Sequence, residues 1–162
     1  MIVRVTRKLA RQIGVSSIDA VPLAENPFVD WTCRAFSVRE GESLMLIMNT
    51  ASLYSLLAPA NGLENLEQFG YGLIQHLERH MLVDGFGDIF KKHIVPELET
   101  ILLTKTLNRS VTGSMTDMVK LAEFMLVDDN KSLGEATVQL NKTPFKAIDY
   151  NHPRDQFTEL AS

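Results

Sequence analysis

Cysteine is nearly absent from this chain: a single one, Cys33, stands among 162 residues. One thiol cannot close an internal disulfide, so the core must hold the fold, and the reducing cytosol is the expected compartment. Long apolar runs are missing too. None approaches the roughly 18 residues of a membrane-spanning helix, so no membrane partner is expected. The opening Met1-Ile2-Val3-Arg4-Val5-Thr6 leads into Arg7, Lys8 and Arg11, not into the apolar stretch of a secretory leader. Charge of one sign does not dominate either, since 16 Lys and Arg face 20 Asp and Glu, for a net −4. That balance excludes a chain coated in basic residues for wrapping nucleic acid, though not a local basic patch. Internal repeats and low-complexity segments are also lacking.

What is present suits one domain with a sizeable core, at 45% apolar and 22% charged residues. Residues 1–6 alternate and are rich in β-branched types, which predicts a strand. A short helix over 7–13 follows, with Thr6 as N-cap and Gly14 as its left-handed stop. Residues 15–29 carry Pro22 and Pro27 and read as an ordered loop. Strands at 31–38 and 44–48 flank Glu40-Gly41-Glu42, the signature of a β-hairpin. The second is apolar on both faces, so it belongs inside a covered sheet. Ser52 to Leu57 suggests a helical turn. Leu66, Phe69, Leu73, Leu77 and Met81 recur at helical spacing, opposite Glu67, Tyr71, Gln75 and Glu78, and predict an amphipathic helix over 63–82. Asp88 is expected to cap a short helix through Ile94. Residues 101–106 form another strand, and Ser114 with Asp117 suggests a capped helix through Leu126. Ser132 with Glu135 repeats that signature before a helix to Leu140. Phe145 to Tyr150 is expected to add an edge strand. The predicted fold is a single α+β domain over 1–162: a mostly antiparallel sheet with a hairpin, covered by several helices, and a loosely held tail from about 152. Leu46, Ile47, Leu73, Leu77, Leu102 and Leu121 are its expected core.

Two polar clusters are candidates for chemistry. The first is Asn108-Arg109-Ser110-Val111-Thr112-Gly113-Ser114, read as a loop feeding a helix N-terminus. Such a loop offers free N–H groups and a positive dipole end to an anion, with Asn108, Arg109, Ser110, Thr112, Gly113 and Ser114 as the candidate anion-binding residues. The spacing and Lys of a phosphate-binding P-loop are missing, as is a dinucleotide glycine fingerprint, so no cofactor is expected. The alternative is a plain capped turn with Arg109 paired to a carboxylate. The second cluster is the basic start, Arg4, Arg7, Lys8 and Arg11, whose +4 leaves −8 for the remainder of the −4 chain. It can meet a nucleotide or nucleic-acid phosphate, or salt-bridge to the acidic remainder. No aromatic residue precedes Phe28, so no stacking platform for single strands is encoded there.

His76 and His80 share a helix at metal-ligand spacing, but the zincin pattern is absent and no metal is expected. Cys33 sits beside Trp31 on an alternating strand and should be buried. No Ser stands in a nucleophile elbow.

Several stretches together carry a family likeness. They are Met1-Ile2-Val3-Arg4 through Lys8-Leu9, the strand from Trp31 to Phe36, Asn49-Thr50 with Leu53-Tyr54-Ser55, and Asn108 to Met115 with Asp117; Leu140-Asn141-Lys142-Thr143-Pro144 agrees. The chain resembles an uncharacterised family of small bacterial proteins, a domain of unknown function. The resemblance implies a bacterial, cytosolic, stand-alone domain, and it carries no activity or catalytic residue to transfer. Two functions then compete. One is a non-enzymatic module that binds a protein, a nucleotide or a nucleic acid through one face. The other is a small enzyme acting on a phosphorylated or anionic substrate, with His80 or His93 as its base. They differ in where Arg4, Arg109 and the histidines stand relative to the largest cavity: convergence favours the enzyme, dispersal the module.

Overall fold

A computed structural model describes residues 1–162. Its centre is a five-stranded sheet in the order β4-β3-β2-β1-β5, built from β1 (Ile2–Val5), β2 (Asp30–Arg39), β3 (Glu42–Asn49), β4 (Ser55–Pro59) and β5 (Leu102–Lys105). β2–β3 and β3–β4 are antiparallel and hold most of the paired residues, while β1 runs parallel to both β2 and β5. Helices α1 (Arg7–Gln12), α2 (Leu66–Val83), α3 (Gly87–Ile89), α4 (Arg109–Val127), α5 (Leu133–Asn141) and α6 (Pro153–Glu159) complete a single α+β domain with an open sheet.

Strand alternation divides the apolar residues between two cores. Val3, Val5, Trp31, Cys33, Met45 and Ile47 face α1, α2 and α6, together with Leu73, Leu77 and Met81 of α2 and Phe157 of α6. Leu44, Leu46 and Met48 face α4 and α5, with Met115, Met118, Ala122 and Leu140. β3, apolar on both sides, therefore serves both cores, as its sequence requires. Of the expected core, Leu46, Ile47, Leu73 and Leu77 are fully buried, Leu121 is half-buried, and Leu102 on the edge strand is 48% exposed.

The local signals place several elements where they were expected. Thr6 Oγ1 accepts from the Leu9 N–H, and Gly14 takes φ +76 just beyond α1. Ser132 and Glu135 form both halves of the capping box of α5.

Four stretches differ from expectation. Ser52 to Leu57 is not helical. The Asn49 side chain accepts from the N–H and hydroxyl of Ser52, Leu53 turns through φ +64, and Ser55–Pro59 then pairs with β3. Ladder bonds to β3 outweigh the local helical preference there. Asp88 does not cap a helix, because it lies inside α3, whose start has no side-chain cap, and a π-helical turn over Phe90–Ile94 continues it. Residues 145–150 form a 3-10 turn, Lys146–Ile148, with Asp149 and Tyr150 left-handed, not an edge strand. Finally, the tail is no loose end. It folds as α6 and puts Phe157, with no exposed surface, against Tyr54 at 4.5 Å between ring centroids. Such an aromatic anchor has no periodicity to read in the sequence.

Candidate functional site

The parallel strands β1 and β5 end side by side, Val5 opposite Lys105. In open sheets the carboxyl ends of parallel strands are a usual place for ligands, because the chain leaves the sheet there and opens a crevice. α1 leaves β1 at this end and carries Arg7 and Arg11 four residues apart, hence on one helix face. Gly14 stops the helix, and Val15 donates back to the Ala10 carbonyl at 2.8 Å, which folds residues 15–18 against α1. The result is a polar pocket of about 320 Å³ lined by Arg7, Arg11, Lys105, Ser16 and Ser17, with Val15 and Ile18 at its inner wall. All three cations are exposed, and none takes part in any of the molecule's four ion pairs.

Val15, Ser17 and Ile18 also form one wall of a second, larger cavity of about 650 Å³. Its other walls are Leu66, Phe69, Gly70, Tyr71 and Ile74 of α2, and Leu98, Ile101 and Leu103 leading into β5. Nine of its twelve lining residues are apolar, which makes it a greasy channel adjoining a basic mouth. Glu67 is the only charged side chain lining it. Gly70 matters here because a side chain at that position would grow toward Ile101, whose Cδ1 lies 3.9 Å from where a Cβ would stand. Leu66 and Tyr71 remain 49% and 69% exposed on the α2 rim.

The channel lies on the less protected edge of the sheet. At the opposite edge, Asn141 of α5 both donates to and accepts from the Ser55 backbone, and Thr137 accepts from the Leu57 N–H, so β4 is closed. On β5 only Lys105 is covered: its N–H donates to the Asp19 carbonyl at 2.9 Å, and its carbonyl accepts from Arg4 and from the Thr104 hydroxyl.

The sequence candidates disperse. Arg4 leaves the basic patch, with no exposed surface at all. It stands in β1 opposite Thr32 and Thr104, on the face away from Val3 and Val5. Its guanidinium grips both Asp30 carboxylate oxygens at 2.8 Å and donates to the carbonyls of Val21 and Pro22. Asp30 in turn accepts from the Ala24 N–H. This bidentate pair pins the 21–24 loop across the sheet. Of the other patch residues, Arg7 and Arg11 line the basic pocket, while Lys8 is exposed outside it.

The 108–114 stretch is the start of a helix and not a loop. Asn108 is the N-cap of α4 and accepts from the Val111 N–H at 3.0 Å, so Ser114 lies inside the second turn. Thr112 and Ser114 spend their hydroxyls on helix carbonyls, of Asn108 and Ser110 respectively. Gly113 is exposed and needs no left-handed backbone, and Arg109 is exposed and in no ion pair. The earlier cap wins because an Asn side chain reaches the N–H of the third helical residue as readily as Ser does.

The histidines stand apart from the channel. His76 lines a separate pocket with Glu78 and Arg79, and His93 packs on Phe28 at 4.6 Å. His80 belongs to a half-buried cluster in which Tyr54 donates to Asp84 at 2.6 Å and Arg154 reaches the same carboxylate at 3.2 Å. His80 Nε2 lies 3.4 Å from that carboxylate without the alignment of a hydrogen bond. Burial, and then Arg154, hold the imidazole below its ordinary range against the pull of Asp84. Burial and the bond to Asp84 push the Tyr54 hydroxyl far up, so it remains a neutral donor. With Arg154 also donating to the Asp84 carbonyl and covering Phe86, the cluster ties α6 to the end of α2. Cys33 is fully buried, and desolvation raises its thiol well above the range of a nucleophile.

Residues 2–156 match the family described as a domain of unknown function, DUF6933. The chain belongs to this family. No curated protein matches it. In this DUF6933 chain the channel residues escaped the sequence reading because they come from three segments that only the fold unites. Gly70 within a strong amphipathic helix was the one available signal, since glycine in a helix interior weakens it and often marks a close approach. No helix is long and apolar enough to cross a membrane.

Proposed function

We propose that this protein is a non-enzymatic binding module of a reducing cytosol, and that its ligand is an amphipathic anion. The observation that carries the proposal is the adjacency of the 650 Å³ apolar cavity and a pocket of three unpaired cations, Arg7, Arg11 and Lys105, with Val15, Ser17 and Ile18 lining both. That volume lies within the roughly 300–1,000 Å³ of small-molecule sites. Apolar walls favour burial of a hydrocarbon, and three clustered cations favour an anionic head. The anion subsite thus falls at Arg7, Arg11 and Lys105 and not at Asn108 to Ser114, where the hydroxyls of Thr112 and Ser114 are already engaged. Binding is preferred over turnover because His80 and His93, the expected bases, stand away from the channel. The buried thiol of Cys33 agrees with a reducing compartment.

The test uses 1-anilinonaphthalene-8-sulfonate, an aromatic sulfonate that combines both features. Titration should give saturable fluorescence with one probe per chain. Amide resonances of residues 15–18, 66–74 and 98–105 should shift. No saturable binding, or shifts confined to other residues, overturns the reading.

A further inference from the structure

The lining of the site narrows its ligand. The cavity lies between α2 and edge strand β5, and Val15, Ser17 and Ile18 line both it and the basic pocket. Seven of its twelve lining residues are aliphatic and two are aromatic, which suits a hydrocarbon chain. A peptide laid along β5 would find little main chain to pair with: β5 has four residues, alternate ones face β1, and the Lys105 N–H is taken by Asp19. Resting on the function proposed above, we infer that the cavity takes an alkyl chain ending in an anionic head, an acyl carboxylate or an alkyl phosphate. The head sits among Arg7, Arg11 and Lys105, and the chain lies along Ile18, Ile74 and Ile101 over the bare backbone of Gly70.

Two structural details give this specificity. Arg7 and Arg11 project from one helix face, so they can hold two oxygens of one head group from the same side. At Gly70 the absent side chain keeps the channel open, and an added Cβ there meets only Ile101 at ordinary contact distance. A larger residue would grow into the cavity toward Ile101, and would also suit a helix interior better than glycine.

The experiment is calorimetric titration of the full chain with straight-chain carboxylates of increasing length, and with an alkyl phosphate and inorganic phosphate beside them. Each added methylene should tighten binding about fourfold, from about 0.8 kcal/mol per buried CH₂, until the channel is full and the gain stops. Gly70→Leu should abolish the dependence on length while raising the melting temperature. Arg7→Gln with Arg11→Gln should weaken every chain length by roughly tenfold or more and leave the dependence on length intact. Equal affinity for carboxylate and phosphate heads assigns the mouth to either anion, and a preference names the source. Sulfonate-probe binding with no dependence on chain length overturns this inference alone. Absence of both overturns the function proposed above as well. Binding that Gly70→Leu leaves untouched places the ligand elsewhere and also overturns it.

Discussion

Single residues in this protein take their roles from which face of an element they occupy, not from their chemical type. Arg4 and Arg7 stand three positions apart in a run that reads as one basic cluster, yet one is a buried structural cation and the other an exposed, unpaired one. Arg4→Met should destabilise the fold by about 3–5 kcal/mol, because Asp30 is left charged and buried. Adding Asp30→Leu should recover part of the loss, and urea unfolding of both variants measures this. Gly113 makes the opposite case. It lies exposed inside α4, with nothing within 4 Å of a Cβ added there. Gly113→Ala should therefore stabilise the protein by roughly 0.5–1 kcal/mol, by reducing the freedom of the unfolded chain and raising helix propensity. A fall in melting temperature would show instead that the residue serves a turn.

Elements show where local signals suffice. α5 carries its start signal within four residues, and both halves of the capping box form: Ser132 Oγ accepts from the Glu135 N–H at 3.2 Å, and the Glu135 carboxylate accepts from the Ser132 N–H at 2.8 Å. Ser132→Ala should cost roughly 0.5–2 kcal/mol in thermal or denaturant unfolding. The bonds from Ser132 hold the Glu135 carboxyl below its ordinary value of 4.5. A depressed acid contributes stability that is complete above its unfolded value and is lost as pH falls through its folded value. The gap between native protein and Ser132→Ala should accordingly be full at neutral pH and shrink on acidification below pH 4.5. A gap that stays constant to pH 2, an acidity chosen about 2 units below the ordinary carboxylate value, would mean that the hydroxyl alone makes the cap. β4 and α6 lie at the other extreme, since each is decided by a partner outside itself: β3 for one, Tyr54 for the other.

At the scale of the whole molecule, the sheet couples two cores that share no side chain. Trp31, the only tryptophan, has no exposed surface and reports on the core beneath α1, α2 and α6. Leu46 and Ile47 are neighbours in β3 and face opposite cores. Each, changed to Ala, should cost roughly 2–5 kcal/mol. Because one strand carries both, Leu46→Ala should move the Trp31 fluorescence transition together with far-UV circular dichroism. Two separated transitions would mean that the cores fold independently. The candidate site has the same global origin, for its walls come from residues 15–18, 66–74 and 98–105.

The sequence by itself determined the α+β class, the hairpin, the buried central strand, α1, α2 and α5. Each of these depends on contacts or periodicities within about ten residues, where alternation, caps and glycine stops act directly. It also showed Arg4, Arg7, Lys8 and Arg11 as one basic cluster. Only the tertiary structure decided that Arg4 goes inside, that residues 55–59 pair as a strand, that the tail docks through Phe157, and that α4 starts at Asn108. The last was open because two residues, Asn108 and Ser114, could each cap it. The others depend on partners outside their own stretch: β3, 7 to 15 positions back, for residues 55–59, Asp30, 26 away, for Arg4, and Tyr54, 103 away, for Phe157. Burial of an ion pair or an aromatic ring is favourable only once both partners and their cover are in place, so no local pattern can announce it. The channel beside β5 follows the same logic: Gly70, Ile18 and Ile101 become one surface only when the sheet brings them together.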